Sequence, residues 1–461
     1  MWYRLVVMMV LAASTGLALA VEQAAATETA LRDYVERTDD TYSYELVQTQ
    51  QLGNASRHDV RMQSQTWRDK AWQHWMTIIV PDNIEHAGKA VLMIGGGASN
   101  SEPPQGQQAA MAVTAANRLG VPVAMLQQVP NQPLFDGMYE DAAIAHTFQQ
   151  YLLGERVAGG GGDVENGAGD DFDGGSDWPL LLPMVKSAVR AMDTFEQVLV
   201  HEHDLAIEAY VLTGASKRGW TSWLTAAVDD RVQAIAPMVI DVLNFSPQIH
   251  QQQATYGSTS PMIRDYTERG LIDALDTEPG RSLVDIVDPF AYRDELTLPK
   301  LIVLGTNDPY WTVDAANLYV DELAGPTHLA YVPNAGHGAG QQAGATLLAF
   351  AERVFTERAM PTVELTREPA ADDESITLHV RWDESATRVT LWEAHSPNRD
   401  YRQAHWQSQT IETAGKQAEV TLTAPDEGWL AAFVQVHFDD GIGFTLSTPM
   451  TVLPEHFPFE P

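Results

Sequence analysis

The residue types able to do chemistry gather at four places along the chain. "VLTGASKRGW" (211–220) sets Ser216 between Gly214 and Gly219, where an apolar strand pattern gives way to a helical one. A serine hydroxyl is a weak nucleophile. It needs a histidine to take its proton, a carboxylate to hold that histidine in the right tautomer, and backbone N–H groups aimed at the developing oxyanion. Asp308 closes the apolar run "LIVLGTND", and His337 lies in "VPNAGHG", after the last such run and before the last helical pattern. "GGGAS" (95–99) follows an early apolar run, and its glycines would let backbone approach a substrate oxygen closely. The order Ser, Asp, His is that of α/β-hydrolases, whose serine sits on a sharp strand-to-helix turn. The expected roles are Ser216 as nucleophile, His337 as general base and Asp308 as orienting acid. Asp241, which ends "AIAPMVID" one strand after the serine, is the rival acid. The oxyanion donors are expected to be the N–H of Lys217 and those of Gly96 and Gly97.

Each piece also has a plainer reading: a serine capping an ordinary strand–helix turn, an aspartate capping a helix, one surface histidine among 14, a glycine-rich turn. The usual G-x-S-x-G elbow is altered, because Arg218 fills the second glycine slot and the glycine follows at 219. Neither G-x-G-x-x-G nor G-x-x-x-x-G-K-[ST] occurs, so a dinucleotide or phosphate loop is disfavoured. All four pieces occurring in order, each at the C-terminal end of a strand pattern, favours the chemical reading. Arg218, Tyr310 and Trp311 are candidates for substrate binding, with a structural ion pair to a nearby Asp as the alternative for Arg218. Trp220 and Trp223, on the helix behind the serine, are expected in the core. Neither a metal nor an organic cofactor is required by this chemistry.

The elements that must hold these residues follow from hydrophobic patterning. "AVLMIGGG", "VPVAMLQ", "AYVLTG", "VQAIAPMVID", "PKLIVLGTND" and "THLAYVPNAGH" are continuous apolar runs, as expected of strands buried on both faces, and helical patterns separate them. The alternation predicts an α/β-hydrolase-type, doubly wound, mostly parallel sheet spanning 21–360. Residues 158–177 are a low-complexity Gly/Asp stretch that fits no EF-hand spacing and reads as an acidic surface insertion. Residues 361–461 carry short strands separated by turn residues with no helical pattern, which predicts an all-β sandwich domain. Residues 1–20 read as a cleavable secretory signal peptide, with Arg4, an apolar run and Ala18-Leu19-Ala20. A periplasmic or secreted protein without a stable membrane anchor is the expectation.

Composition bounds the rest. At 44% hydrophobic and 8% aromatic, the chain can build a real core. A net charge of −34 with no basic cluster argues against nucleic acid or an anionic membrane as partner. There is no cysteine, so neither a disulfide nor a thiol contributes.

"GASKRGWTSWLTAAVDDRV", "NQPLFDG", "DWPLLLPMVKSAVRAMD", "GTNDPYW", "NAGHG" and "LWEAHSPNRDYR" together resemble the bacterial PhoPQ-activated pathogenicity-related protein family over nearly the whole mature chain. The resemblance implies an α/β-hydrolase fold with catalytic residues at Ser216, Asp308 and His337. It leaves the substrate open, because the family name refers to regulation. The G-x-S-x-x-G elbow with a cation after the serine is also locally similar to that of glucuronoyl esterases. The sequence thus points to an exported serine hydrolase acting on an ester or amide of a small-molecule or peptide substrate. A serine peptidase and a non-catalytic binding protein of the same fold are the alternatives.

Overall fold

The structure, a computed structural model, describes residues 30–158, 175–370 and 374–460. The signal-peptide segment and most of the Gly/Asp insertion lie outside the described residues.

Three antiparallel strands come first: β1 (Ser43–Gln51), β2 (Ala55–Trp67) and β3 (Lys70–Pro81). The six apolar runs become β4 (Gly88–Ile94), β5 (Val123–Leu126), β6 (Ile207–Ala215), β7 (Val232–Met238), β8 (Lys300–Gly305) and β9 (Thr327–Val332). They pair in parallel in the order β5-β4-β6-β7-β8-β9, and β3 joins β5 antiparallel. A run of parallel strands in this order, with the antiparallel β3 beside the crossed pair β5-β4, is the α/β-hydrolase arrangement. Burial on both faces explains why these strands read as unbroken apolar runs. Leu92 and Leu212 face a cluster with the helices α2 (Glu140–Ala158), α3 (Leu181–His203) and α4 (Lys217–Val228). Val91 and Val211 face the opposite cluster, with α1 (Gly106–Leu119) and α7 (Gly344–Phe355).

Between β7 and β8 the chain makes a helical excursion over residues 245–292. It includes α5 (Phe245–Tyr256) and α6 (Glu278–Val287), joined by one-turn helices at Arg264–Thr267 and Leu271–Ala274. Its Leu271, Leu283, Ile286 and Val287 join the same cluster as α4.

The C-terminal region is all-β. Strands β10 (Val363–Pro369), β11 (Ser375–Trp382) and β14 (Gln417–Thr423) form one antiparallel sheet. Strands β12 (Arg388–Ser396), β13 (Gln407–Thr410), β15 (Trp429–Asp439), β16 (Gly443–Ser447) and β17 (Thr451–Leu453) pair antiparallel in the other. Leu378 and Val380 of β11 share a hydrophobic cluster with Leu391 and Val434 of the second sheet, as two sandwiched layers would. The second sheet is also continuous with the main one, because Ser447 of β16 pairs with Leu329 of β9. Tyr401, Trp406 and Phe433 lie in the cluster that packs α3 and α4.

Candidate active site

Ser216 follows β6 and is the N-cap residue of α4, with φ 56° and ψ −129°, a region that non-glycine residues rarely occupy. A backbone in such a region costs about 1–3 kcal/mol and persists where the surroundings over-determine it. Here the Ser216 amide donates to the Met238 carbonyl at 2.8 Å. The first helical turn also presses on the strand end. A Cβ at Gly214 would sit 2.6 Å from the Arg218 carbonyl, and one at Gly219 would sit 2.9 Å from the Gly214 oxygen. The crowded backbone is therefore at 219, which explains why the second glycine comes one residue late and why position 218 can carry a side chain.

His337 lies in the loop after β9. Its Nε2 is 2.9 Å from Ser216 Oγ and its Nδ1 is 2.8 Å from Asp308 Oδ2. With Asp308 ionised, Nδ1–H donates to the carboxylate, leaving Nε2 to accept from the serine hydroxyl. The other Asp308 oxygen accepts from the Tyr310 amide at 3.0 Å. The Tyr310 ring lies against the imidazole, with centroids 4.3 Å apart and planes tilted by 31°. Among the described residues no hydrogen bond or ion pair joins Asp241 to His337. Asp241 is buried and accepts the Tyr319 hydroxyl at 2.6 Å. Burial raises its carboxyl to about 7, and the negative charges of Asp308 and Asp314 push the same way.

The loop after β4 carries the remaining expected group. The Gly95 amide is spent on the Leu126 carbonyl at 2.7 Å. Among the described residues no hydrogen bond engages the amides of Gly96 or Gly97, and Gly97 has φ +120°. Lys217, the first residue of α4, has no preceding helical turn to take its N–H.

Arg218 corrects an expectation. Its side chain does not line the pocket beside Ser216. It donates to both Glu140 oxygens at 2.8 and 2.7 Å and to the Val129 carbonyl at 2.6 Å. It packs so closely under Gly96 that a Cβ there would lie 2.4 Å from the guanidinium. This is the structural ion pair, with Glu as the partner. Burial opposes ionisation of Glu140, but the Arg218 hydrogen bonds and charge outweigh it and hold the carboxyl below its ordinary value. Lys217 is likewise taken: its Nζ is 2.8 Å from Asp141 Oδ2. Asp141 also accepts the hydroxyls of Tyr266 and Tyr310, at 3.0 and 3.3 Å.

A cavity of about 90 Å³ adjoins these groups. Ser216, His337, Tyr310 and Trp311 line it, together with Phe148 and Trp220 from the core and Phe245 and Leu271 from the excursion. Trp223 is fully buried, as expected, and Trp220 serves both core and cavity. Sequence reasoning missed Glu140, Asp141, Tyr266 and the wall of the excursion. The adjacent acids opening the α2 pattern were the available signal for the first two. Among the described residues no group of three or more His, Cys, Asp or Glu could hold a metal ion. Nor is any described helix long and apolar enough to cross a membrane.

Residues 31–160 and 169–402 match the PhoPQ-activated pathogenicity-related protein family. The chain belongs to that family. This PhoPQ-related chain is also 29% identical to autocrine proliferation repressor protein A of Dictyostelium discoideum, over 94% of its own length and 92% of the relative's. Among solved structures it is similar to acetyl xylan esterase 1 of Thermoanaerobacterium sp., with 14% identity, TM-score 0.47, and coverage of 72% of this chain and 94% of that one. It is also similar to a glucuronoyl esterase of Solibacter usitatus, with 14% identity, TM-score 0.43, and coverage of 71% and 92%.

Proposed function

We propose that the protein is an exported serine hydrolase that cleaves esters of apolar small molecules through an acyl-enzyme. The observation that carries this reading is the unbroken chain Ser216 Oγ, His337 Nε2, His337 Nδ1, Asp308 Oδ2, with links of 2.9 and 2.8 Å beside an apolar cavity. Ser216 Oγ attacks the ester carbonyl while His337 takes its proton, and Asp308 stabilises the imidazolium that forms. The Lys217 amide and the free amides of Gly96 and Gly97 receive the oxyanion. The tetrahedral intermediate collapses, His337 protonates the departing alcohol, and a water activated by the same imidazole releases the acid. The apolar cavity favours an uncharged acyl or alcohol group. Both cations after the serine are paired, with Asp141 and Glu140, so neither is free to bind a peptide carboxylate. Export is supported by the N-terminal sequence, with its apolar run and Ala18-Leu19-Ala20.

A panel tests this reading: p-nitrophenyl esters from acetate to octanoate, set against peptide p-nitroanilides, with purified protein lacking residues 1–20. Ester hydrolysis that improves as the acyl chain lengthens beyond acetate, with the anilides turned over far more slowly, is expected. Turnover of anilides above esters, or of no ester at all, contradicts it.

A further inference from the structure

The loops that carry Asp308 and His337 are first tied to each other. The Asn307 amide donates to the Ala335 carbonyl at 3.0 Å, and the Asn334 amide donates to Thr306 Oγ1 at 2.9 Å. Gly305 lies so near the second loop that a Cβ would be 2.5 Å from the Ala335 oxygen. Each loop then extends one asparagine side chain to a single segment of the C-terminal β region, Tyr401–Trp406. Asn307 Nδ2 donates to the carbonyls of Tyr401 at 3.0 Å and Ala404 at 2.8 Å, while its Oδ1 accepts from Thr306 at 2.9 Å. Asn334 meets the Trp406 backbone on both sides, donating to its carbonyl at 3.0 Å and accepting from its amide at 2.8 Å. That is the two-bond pattern of a paired strand, made by a side chain.

The segment is itself fixed. Tyr401 and Trp406 are 2% and 1% exposed. Just before it, Arg399 is 5% exposed and donates to Asp314 at 2.8 Å and to Thr255 of α5 at 3.2 Å. Asn307 adjoins Asp308, and Asn334 lies three residues before His337. A shift of the segment therefore moves acid and imidazole together relative to Ser216, which sits on a different element.

We infer that Asn307 and Asn334 are positioning residues, through which the Tyr401–Trp406 segment of the C-terminal region holds the acid and the imidazole in register with Ser216. This rests on the serine-hydrolase reading above. It gives the C-terminal region a part in the reaction rather than in binding a separate partner.

The test is the rate at which a fluorophosphonate probe labels Ser216 in the full mature chain, as a function of probe concentration. Asn307→Ala removes one amide. Asn334 has φ 56°, which Gly adopts freely, so Asn334→Gly keeps the backbone, adds no charge and removes both bonds to Trp406. Both variants are expected to lower the maximal labelling rate by about tenfold to a hundredfold, the scale of a displacement on the order of 1 Å at the reacting groups. The half-saturating probe concentration should stay roughly within twofold, since the cavity is untouched. Gln403→Ala, which truncates an exposed side chain of the same segment, should label like wild type. A lowered melting temperature with a wild-type maximal rate in both variants overturns the inference and leaves a structural role only. If Asn307→Ala fails to fold, Asn307→Ser, which is uncharged and lacks Nδ2, takes its place with the same two outcomes. A wild-type chain that is not labelled at Ser216 overturns the hydrolase reading, and the positioning role with it.

Discussion

Lys217 and Arg218 follow Ser216 directly, and each meets a carboxylate on the first turn of α2. The two cations are thus paired with two anions beside the serine, which is the basis for proposing an uncharged ester as substrate. The two candidate acids divide on contact. Asp308 accepts from the imidazole, whereas Asp241 accepts from a tyrosine hydroxyl. Asp308→Asn is expected to lower ester turnover by roughly 10⁴, the cost of holding the wrong tautomer, while Asp241→Asn keeps most of it. Steady-state kinetics on the best ester of the panel checks both. Asp241 has a separate signature. With its carboxyl raised to about 7 in the folded chain, the native state binds a proton that the unfolded state has already released above about pH 4. This group's contribution therefore falls as pH rises from about 4 to 7, at up to about 1.4 kcal/mol per unit. Urea unfolding across that range should show a smaller loss for Asp241→Asn than for wild type. An equal loss would show that the buried carboxyl does not titrate there. Ser216, Asp308 and His337 stood out in the sequence because each sits at a strand end in a recognisable order. Asp308 could be preferred over Asp241 but not separated from it, because both end buried strands and only the fold decides which loop reaches His337.

The elbow between β6 and α4 and the paired loops after β8 and β9 depend on close backbone approach. At Gly305 an added methyl would press on the Ala335 and Gly336 oxygens at 2.5 and 2.6 Å, backbone atoms that cannot swing away. Gly305→Ala should thus push the His337 loop outward, cost about a hundredfold in ester turnover and lower the melting temperature. Unchanged turnover would mean that the loop tolerates the shift. Elements of this kind were readable to different degrees. The parallel strands stood out because double-faced burial makes each an unbroken apolar run. The excursion over 245–292 did not, because its helices are short and separated by stretches such as "GSTSPMI", so no 3.6-residue period accumulates. Yet Phe245, Leu271 and Leu283 from that stretch make one side of the cavity.

Across the whole molecule, the C-terminal strands were legible as β structure, but their union with the α/β core was not. Among the described residues the sheets are joined in register at one pair, Ser447 with Leu329, and no local pattern announces it. The packing is more telling. Tyr401, Trp406 and Phe433 are each at most 2% exposed within the cluster that also holds α3 and α4. At roughly 3 kcal/mol for each such side chain, they contribute an amount comparable to the net stability of a typical domain, about 5–15 kcal/mol. A chain ending at residue 360 is therefore expected to be insoluble or to lack a cooperative melt, as expression and scanning calorimetry would show. A soluble, cooperatively melting truncation would show that the core closes without those aromatics. The central claim, that the Ser216 hydroxyl is made nucleophilic by His337, has a more direct test. The mature chain is incubated with a fluorophosphonate, weighed intact and mapped by peptide mass spectrometry, with Ser216→Ala alongside. The account expects one adduct per chain, on Ser216, and none on the variant. Equal labelling of the two proteins, or an unmodified Ser216 in wild type, would contradict it.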